Sequence, residues 1–537
     1  MDNNELYAQA FQEYRSQNYD AALRILDELK ILDPNYKSAY SLESLIWHAV
    51  GNPVKEFYAC EKLLPLLRFS SPKEKNFSSD IFYNIGAACT NLSLYKEAYE
   101  FHRLSVNFTD DEKKALDLTS VIIFLMNFSE EFSAADFHEC YNECKKYLLK
   151  MGISPFPKRF YNNKKIRIGF LSADFNNHPV INWSWALLTK LDKNLFEIFF
   201  YSSSKSSDHV TNHLRSVADG WRDIFDLTDE DAATIIRNDE IDILFDLSGH
   251  TSDNRLRVAA YQPASVQISG IGYMNSTGLD CFDYFLSDVY CADNAAAMNE
   301  YFCEKIIKMP HSHICYESSV NIEPAANPPC IKNNFVTFGC FNRFNKITDT
   351  ILATWKKILD AVPNSRLIFK HTIFDTADGK NFVCERLKNL GLDLSRIEMR
   401  KANYKWSTGS KNIWLYDYDD IDIALDTFPY TGGVTTCEAL YMGVPVISLY
   451  GGRHGTRFGL SILSNVGLNE LAVDSYDEYI KRAVALASDW ELLKILRRNL
   501  RTMMKKSPLM DAEGYVRDIE KIFVKILSDE REKFLNG

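Results

Sequence analysis

DIALDTFPYTGGVTTCEALYMGVPVISLYGG, residues 422–452, contains the pattern that decides the fold class. A short apolar run (422–428) leads into a turn rich in glycine and threonine. A helical apolar pattern follows, and PVISLYG (445–451) is a second apolar run. Buried strands that alternate with helices form a parallel sheet covered by helices on both faces. The stretch therefore predicts one strand–helix–strand unit of an α/β domain.

The same alternation extends over most of the chain in two series. We predict strands at 166–175, 196–204, 241–249, 266–273 and 282–288, and again at 335–342, 365–371, 396–402, 422–428 and 445–451. Each series has the length of a doubly wound unit. The sequence thus predicts two Rossmann-like α/β lobes, at 166–325 and 332–506. A linker (151–165) precedes them, and a long C-terminal helix (507–537) follows and packs back on the lobes.

Residues 1–150 are predicted to be helical throughout, with a weak repeat. Asn18-Tyr19-Asp20-Ala21-Ala22 recurs loosely as Gly51-Asn52-Pro53 and as Leu94-Tyr95-Lys96-Glu97-Ala98. The first interval is close to the tetratricopeptide length. Asp33-Pro34 should end a helix, and SSPKEKNF (70–77) is interpreted as an inserted loop. We expect a tetratricopeptide-like helical domain that binds a peptide, or alternatively a purely structural helical cap.

Composition excludes several functional classes. The 537 residues carry a formal net charge of -11, with 46% hydrophobic and 25% charged residues. This favours a soluble globular protein and argues against nucleic acid or an anionic membrane as the main partner. The N-terminal residues lack the features of a signal peptide, and no apolar stretch is long enough to span a membrane. We expect a cytoplasmic protein.

Metal chemistry is weakly indicated. The 12 cysteines are scattered and predict buried thiols in a reducing compartment, with zinc at Cys140 and Cys144 as a remote alternative. DYDDID (417–422) has the Asp-x-Asp spacing of a metal-dependent glycosyltransferase. It runs directly into a strand, however, so Asp422 is interpreted as a strand-entry residue.

The turn at 431–438 has the features of a phosphate site. In open α/β sheets, ligands bind beyond the carboxyl ends of the strands, where this turn lies. Gly433 permits close approach of the backbone, while Thr435 and Thr436 can cap the helix or donate to an anion. The helix start itself favours a diphosphate. Glu438, one turn further, is placed to accept hydrogen bonds from ribose, or alternatively acts as an acid near a helix N-terminus.

Other charged and polar residues follow strands at the same predicted edge. Arg343 and Lys346 can neutralise charge on a leaving diphosphate, although an isolated cation at such a place is usually solvated surface. Asp174 and His178 follow the first strand, and Asp246 and His250 follow another strand of the same lobe. A single histidine at such a position is more often structural. The presence of two histidines at the same edge of the predicted sheet favours acid–base chemistry.

Several motifs in this order resemble one family. They are FLSADFNNHP, DLSGHTSDNRL, QPASVQISGIGYMNSTG, FNRFNKIT and TTCEALYMGVPVISLYGGRHGTRFGLSIL. Together they resemble the O-GlcNAc transferase family, in particular its bacterial and SPINDLY-type members. The resemblance covers roughly residues 164–506 and includes the preceding repeats. It implies the GT-B fold, a nucleotide-diphosphate sugar donor, no metal, and inverting transfer to Ser or Thr of proteins.

The resemblance also assigns residues. Lys346 corresponds to the lysine that stabilises the leaving diphosphate, and Glu438 to the acid that holds the ribose. His178 corresponds to a histidine at the sugar–acceptor junction. Arg343, Gly433, Thr435 and Thr436 are expected at the donor. Asp246 is expected to be catalytic, and His250 and Tyr273 are expected near the junction. The chain differs from the family at Arg343, Gly433-Val434 and Met274-Asn275, and Asn412 stands where the uracil-side histidine is expected.

The expected function is therefore a metal-independent inverting glycosyltransferase that moves a sugar, GlcNAc from UDP-GlcNAc, to Ser or Thr of proteins. Family analogy points to flagellin or an adhesin as the acceptor. Two alternatives stay open at this point. One is an enzyme that glucosylates Asn, as relatives in another branch do. The other is a catalytically inactive adaptor that binds a partner through its repeats.

Overall fold

The computed structural model describes residues 2–293, 298–318, 320, 322–402 and 413–536. Its contacts divide the chain into two compact units. The first unit comprises Met1–Ser129, Phe341–Lys356 and Arg366–Ser407. The second comprises Glu130–Cys340, Lys357–Ser365 and Thr408–Gly537.

The first unit begins with helices that pack in consecutive pairs. They are α1 Asn3–Arg15, α2 Tyr19–Leu32, α3 Lys37–Ala49, α4 Pro53–Glu61, α5 Pro72–Asn91, α6 Tyr95–Asn107 and α7 Glu112–Met126. Helix α1 packs on α2, α3 on α4 and α5 on α6. The three repeated segments of the sequence each begin the second helix of such a pair. Apolar residues spaced along α1, α2 and α3 form one buried cluster, which includes Leu6, Leu26, Leu42 and Ile46.

Local signals set the ends of these helices. The side chain of Asn52 accepts from Lys55 N, with Pro53 in the first helical turn, so α4 begins where its sequence predicts. Helix α2 ends at Leu32, before Asp33-Pro34. The expected loop at 70–77 is wrong. Ser71 forms a capping box with Glu74, and α5 already begins at Pro72. The lengthened connection therefore lies before it, around a short 3-10 helix at Leu64–Leu66.

The second unit contains a seven-stranded parallel sheet. Its strands are β1 Ile166–Ser172, β2 Phe196–Ser202, β3 Gly220–Asp223, β4 Ile243–Asp246, β5 Val266–Gly270, β6 Tyr284–Asp288 and β7 Lys305–Met309. Their order is β3-β2-β1-β4-β5-β6-β7. Helices α8 Ala134–Lys150, α9 Ile181–Thr189, α10 His209–Val217, α11 Asp229–Asn238 and α12 Leu256–Ala260 precede the sheet or alternate with its strands. The five predicted strands are confirmed, and β3 and β7 are additional edge strands.

Six further strands follow, again alternating with helices. They are β8 Thr337–Cys340, β9 Arg366–Lys370, β10 Ile397–Arg400, β11 Ile423–Leu425, β12 Val446–Leu449 and β13 Ala472–Val473. In the second unit the strands run parallel in the order β8-β11-β12-β13, and in the first unit β9 pairs with β10. The helices are α13 Cys330–Asn333, α14 Asp349–Ala361, α15 Ala377–Asn389, α16 Val434–Tyr441, α17 Phe458–Val466, α18 Tyr476–Ser488 and α19 Trp490–Lys505. The sequence prediction missed only β13 of these strands.

The chain ends in the long helix that the sequence predicts, α20 Ala512–Asn536. Its side chains pack on the first sheet. The ring of Phe523 lies 6.3 Å from that of Phe245, and the Tyr284 hydroxyl lies 2.9 Å from Glu530 Oε1. Across the part of the chain that is described, no helix combines the length and apolar character needed to cross a membrane.

Candidate functional site

The turn between β11 and α16 has the geometry of a helix start without a side-chain cap. Gly433 is the N-cap residue, and within the described residues no side chain caps the helix there. The expectation that a threonine supplies the cap is therefore wrong. Thr435 and Thr436 instead lie in the first turn of α16. The first backbone N–H groups of a helix have no partner within it, so this end can accept an anion.

A tryptophan occupies the space beside Gly433. A Cβ atom at this position would lie 2.2 Å from Cζ2 of Trp183, so the close approach requires glycine. Trp183 belongs to α9, which begins three residues after His178. The segment that carries His178 therefore leads into a helix that packs on the predicted phosphate turn. The indole Nε1 of Trp183 is buried and has no hydrogen-bond partner among the described residues.

Asp426, which the sequence analysis did not select, holds this turn in place. Its Oδ1 accepts from Gly432 N at 2.7 Å and from Thr427 N at 2.8 Å. Its Oδ2 accepts from the Ser448 hydroxyl of β12 at 2.7 Å. The carboxylate is buried and saturated with donors. An aspartate directly after a buried strand and before Gly-Gly was the available signal for it.

Glu438 lies on the fifth residue of α16 and is held by two aromatic donors. Trp414 Nε1 donates to Glu438 Oε1 at 3.3 Å. The hydroxyl of Tyr418 lies 3.3 Å from Glu438 Oε2 and 3.1 Å from the carbonyl of Thr435. Glu438 is thus positioned by residues 414–418 and does not cap the helix. A carboxylate held in this way can accept hydrogen bonds from a ligand with paired hydroxyl groups.

His178 and Asp174 form an open pair after β1. His178 Nδ1 lies 3.6 Å from Asp174 Oδ2, and the histidine side chain is 40% exposed. Burial raises the pKa of Asp174, and the neighbouring His178 partly offsets that rise. Nδ1 also lies 3.4 Å from the amide N of Val180. A partly exposed imidazole beside a carboxylate is a suitable proton acceptor.

Asp246 lies at the end of β4 in a very different environment. It is 0% exposed and accepts from Gly249 N at 2.7 Å, from Ser248 N at 3.3 Å and from the Ser269 hydroxyl at 3.0 Å. Burial raises its pKa to about 6, and the three hydrogen bonds, which favour the charged form, offset only part of that rise. This carboxylate therefore ties its own loop to β5, as Asp426 does with β12.

His250 and Tyr273 are buried beside that loop. Nε2 of His250 lies 2.8 Å from the carbonyl of Thr277, to which it donates, and burial lowers the pKa of His250 to about 4. Tyr273 is 1% exposed and its ring lies 5.5 Å from that of His250. Gly249 has φ +50° and faces the Tyr273 side chain, so glycine is required there as well. Their predicted place at the sugar–acceptor junction stays a prediction.

Lys346 and Arg343 lie in the first unit, on and before the 3-10 helix Phe344–Lys346. The carbonyl of Phe344 accepts from the Ser93 hydroxyl at 3.1 Å, and that of Asn345 accepts from the Tyr95 hydroxyl. The turn that carries Lys346 is therefore held by the third helical pair. Arg343 lies close enough to His371 to add to the burial that lowers the pKa of that histidine to about 3.

Two further expectations concern residues near 412–422. The carboxylate of Asp422 accepts from Cys330 N at 2.9 Å and from Thr337 N at 2.8 Å, which agrees with its interpretation as a strand-entry residue. The segment YKWSTGSKN (404–412), whose last residue is Asn412, lies outside the described residues. The prediction for the uracil side is therefore untested.

Comparisons with known proteins agree with this architecture. The model of glycosyl transferase family 41 matches residues 129–320 and 327–519. A probable UDP-N-acetylglucosamine--peptide N-acetylglucosaminyltransferase SPINDLY from Hordeum vulgare is 35% identical over 407 residues, which are 75% of this chain and 42% of that protein. Its counterpart from Solanum lycopersicum is 36% identical over 411 residues, with 75% and 43% covered. The chain thus spans less than half the length of the curated relatives it matches.

A solved structure gives the same result over a longer span. The O-GlcNAc transferase of Thermobaculum terrenum, solved as a mutant, has a TM-score of 0.85 and 26% identity, and the likeness covers 99% of this chain and 98% of that one. The expected pair of Rossmann-like lobes in the GT-B class, preceded by helices, is confirmed by this likeness. On the family match and the extent of these identities, the chain belongs to glycosyl transferase family 41.

Proposed function

We propose that the chain is an inverting glycosyltransferase that transfers GlcNAc from UDP-GlcNAc to Ser or Thr of a protein in the cytoplasm, without a metal in the transfer step. One observation carries the proposal. The uncapped start of α16 packs at Gly433 against Trp183, whose buried N–H lacks a partner among the described residues. The backbone N–H groups at such a helix start are suited to the diphosphate of a nucleotide-sugar. The names of the relatives support the same donor class.

The other proposed contacts to the nucleotide-sugar follow from the chemical types of the side chains. The hydroxyls of Thr435 and Thr436 donate to phosphate oxygens, and Glu438 accepts from the ribose hydroxyls. Lys346 and Arg343 neutralise the negative charge that develops as the diphosphate leaves. The rigid hold on the Lys346 turn by Ser93, Tyr95 and buried Phe344 would keep the ammonium in place during this step.

In the transfer step, the acceptor oxygen forms a bond to C1 of the sugar while the bond from C1 to the phosphate oxygen breaks. Attack from the face opposite the leaving group inverts the configuration. The hydroxyl proton passes to His178 or to a phosphate oxygen of the donor, since a Ser or Thr hydroxyl is a weak nucleophile. Asp246 is a positioning residue in this proposal, because its carboxylate is buried and already accepts hydrogen bonds from its own loop.

The domain assignment is part of the same proposal. Residues 1–150 would form a tetratricopeptide-like domain that binds the acceptor protein, 166–325 the acceptor-side lobe and 332–506 the donor-side lobe. Deletion of 1–36, which removes the first helical pair and keeps Ser93 and Tyr95 on the Lys346 turn, should leave transfer to a short peptide less affected than transfer to a full-length protein. Equal loss with both acceptors would contradict the role of the repeats.

The decisive experiment measures donor turnover. Purified protein is incubated separately with UDP-GlcNAc, UDP-Glc and GDP-fucose in host lysate, and nucleotide release and protein mass shift are recorded. A GlcNAc mass shift mapped to Ser or Thr supports the proposal. A hexose on Asn, or donor binding without transfer, would support the Asn-linked enzyme or the adaptor instead. Lys346→Ala should lower turnover by about 10³-fold, while Lys357→Ala, at an exposed lysine of α14, should have no effect.

A further inference from the structure

Cys291, His313 and His454, none of which is assigned to the donor or the acceptor, form a buried cluster in the second unit. One ligand atom from each residue lies within 4.8 Å of the other two. Cys291 follows β6, His313 follows β7, and His454 begins the 3-10 helix His454–Thr456 after β12. All three side chains are buried. Imidazole and thiolate are the ligands that zinc prefers in proteins.

The two histidines are oriented through their Nδ1 atoms. His313 Nδ1 lies 2.5 Å from Asp288 Oδ2, and His454 Nδ1 lies 3.1 Å from the carbonyl of Met274. Each contact places the ring proton on Nδ1 and leaves a lone pair on Nε2. Metal-binding histidines are typically held in this way, by a carboxylate or a carbonyl on the other ring nitrogen. His454 Nε2 is buried and has no hydrogen-bond partner within the described parts of the chain.

The polar groups around the cluster balance a bound dication. Asp288 is buried and accepts hydrogen bonds from Tyr290 N, Cys291 N, Ser461 Oγ and both the amide and Nδ1 of His313. One carboxylate and one Cys291 thiolate together compensate two positive charges. The nearby Arg457 guanidinium pairs with Asp293 at 2.6 Å.

Aromatic rings enclose the histidine end of the cluster. The Cys291 thiol lies 3.5 Å from the carbonyl of Arg457. Rings of Phe285, Phe302 and Phe458 surround His454 at 5.1, 6.1 and 5.4 Å, which gives a dry shell.

We propose that Cys291, His313 and His454 bind one zinc ion, which joins the segments after β6 and β7 to the turn after β12. Tetrahedral zinc separates its ligand atoms by about 3.5 Å, so the side chains close by up to about 1 Å on binding. The site is structural in this proposal, because none of its three side chains takes part in the transfer step. It stiffens the turn at 454–456, whose Gly455 carbonyl accepts from the Thr431 hydroxyl at 3.0 Å.

The test uses full-length protein without a polyhistidine tag, in a Cys303→Ser background, because Cys303 is the exposed thiol. Protein is expressed in medium containing zinc, and its zinc content is measured by elemental mass spectrometry after gel filtration. About one zinc per chain is expected. His454→Gln and Cys291→Ala should abolish it, and Cys281→Ala, a buried thiol outside the cluster, should retain it. Zinc content no higher than that of a metal-free reference protein would overturn the proposal.

A second measurement does not depend on the folding of the variants. Protein expressed in cobalt medium should show a sulfur-to-cobalt charge-transfer band and the visible spectrum of tetrahedral cobalt. Removal of zinc by a chelator should lower Tm, by roughly 2 °C or more, and zinc alone should restore it. A cobalt spectrum without a sulfur band, or the same band in folded Cys291→Ala protein, would show that the metal is bound elsewhere and would overturn the assignment.

Discussion

His178 and His250 follow neighbouring strands of one sheet, yet the protein uses them differently. Strands β1 and β4 pair directly, with Leu171 opposite Asp246, so both loops leave the same edge. His178 is 40% exposed beside Asp174, whereas His250 is 3% exposed and bonded to a backbone carbonyl. Position at the carboxyl edge of a sheet therefore does not establish that a side chain reaches a ligand.

The difference comes from the loops. After β4, the Asp246 carboxylate accepts from Ser248 N and Gly249 N, which folds the loop back against β5 and carries His250 inward. After β1, the chain turns into α9 instead, and the His178 carbonyl accepts from Ile181 N at the start of that helix. One loop is anchored by a buried acid, and the other ends on a helix that leaves its histidine at the surface.

The largest difference between His178 and His250 is expected in the turnover of variants that lack one of these side chains. His178→Ala is expected to lower turnover by about 10²–10⁴-fold if His178 is the proposed proton acceptor of the transfer step. The thermal stability should change little, since the side chain is 40% exposed and lies in a loop. The measurement is donor turnover with a protein acceptor alongside thermal unfolding. His209→Ala, at an exposed histidine of α10, is the matched control, and full activity of His178→Ala would leave the donor phosphate as the proton acceptor.

Removal of the buried acid should affect stability instead. Asp246→Ala leaves the amides of Ser248 and Gly249 and the Ser269 hydroxyl without their acceptor. We expect a loss of about 3 kcal/mol in the free energy of unfolding, measured by chemical denaturation. Asp226→Ala, at an exposed acid, should cost much less. A variant as stable as the wild type would show that the Asp246 bonds do not hold the loop.

The pH dependence of stability should distinguish the two buried groups. The folded pKa of His250, about 4, is below its unfolded value, so its contribution is present above pH 6.5 and is lost as the pH falls towards 4. Burial raises the pKa of Asp246 to about 6, so its contribution to stability changes with pH in the opposite direction. Its stabilisation is present below about pH 3.8 and is lost as the pH rises through 6.

His250→Gln keeps a donor for the Thr277 carbonyl and removes the titration. The variant should be less stable than the wild type at pH 7, and this difference should narrow by up to about 3 kcal/mol between pH 6.5 and 4. Chemical denaturation at a series of pH values measures it, with His209→Gln as control. A difference that is constant with pH would mean that folding does not lower the pKa of His250.

The smallest effect on turnover is expected for a substitution of Asp174, the carboxylate beside the partly exposed His178. Asp174→Asn keeps the shape of the side chain but removes its charge, so His178 loses electrostatic support at 3.6 Å. Turnover should fall by less than about tenfold, with a lower apparent pKa on the acid limb of the pH–rate profile. An unshifted profile would separate Asp174 from the proposed base.

The sequence by itself determined the strand–helix alternation and the positions of the polar residues along it. Central strands are buried on both faces, so their apolar runs are long enough to recognise. The edge strands β3, β7 and β13 were missed because GWRD and KIIKM mix exposed and apolar residues and β13 has two residues. The parallel topology then placed Asp246, His250 and His178 at one edge, and Gly433 and Thr435 at a helix start.

Only the tertiary structure decided how deep each of these side chains lies and what it contacts. The packing of Trp183 on Gly433, the anchoring by Asp426 and the cluster of Cys291, His313 and His454 join residues that are far apart in the chain. Periodicity reports which face of an element is apolar, but carries no information about which distant residue meets that face. The depth of burial of a residue depends on those long-range contacts. Its pKa and its chemical role depend in turn on that depth.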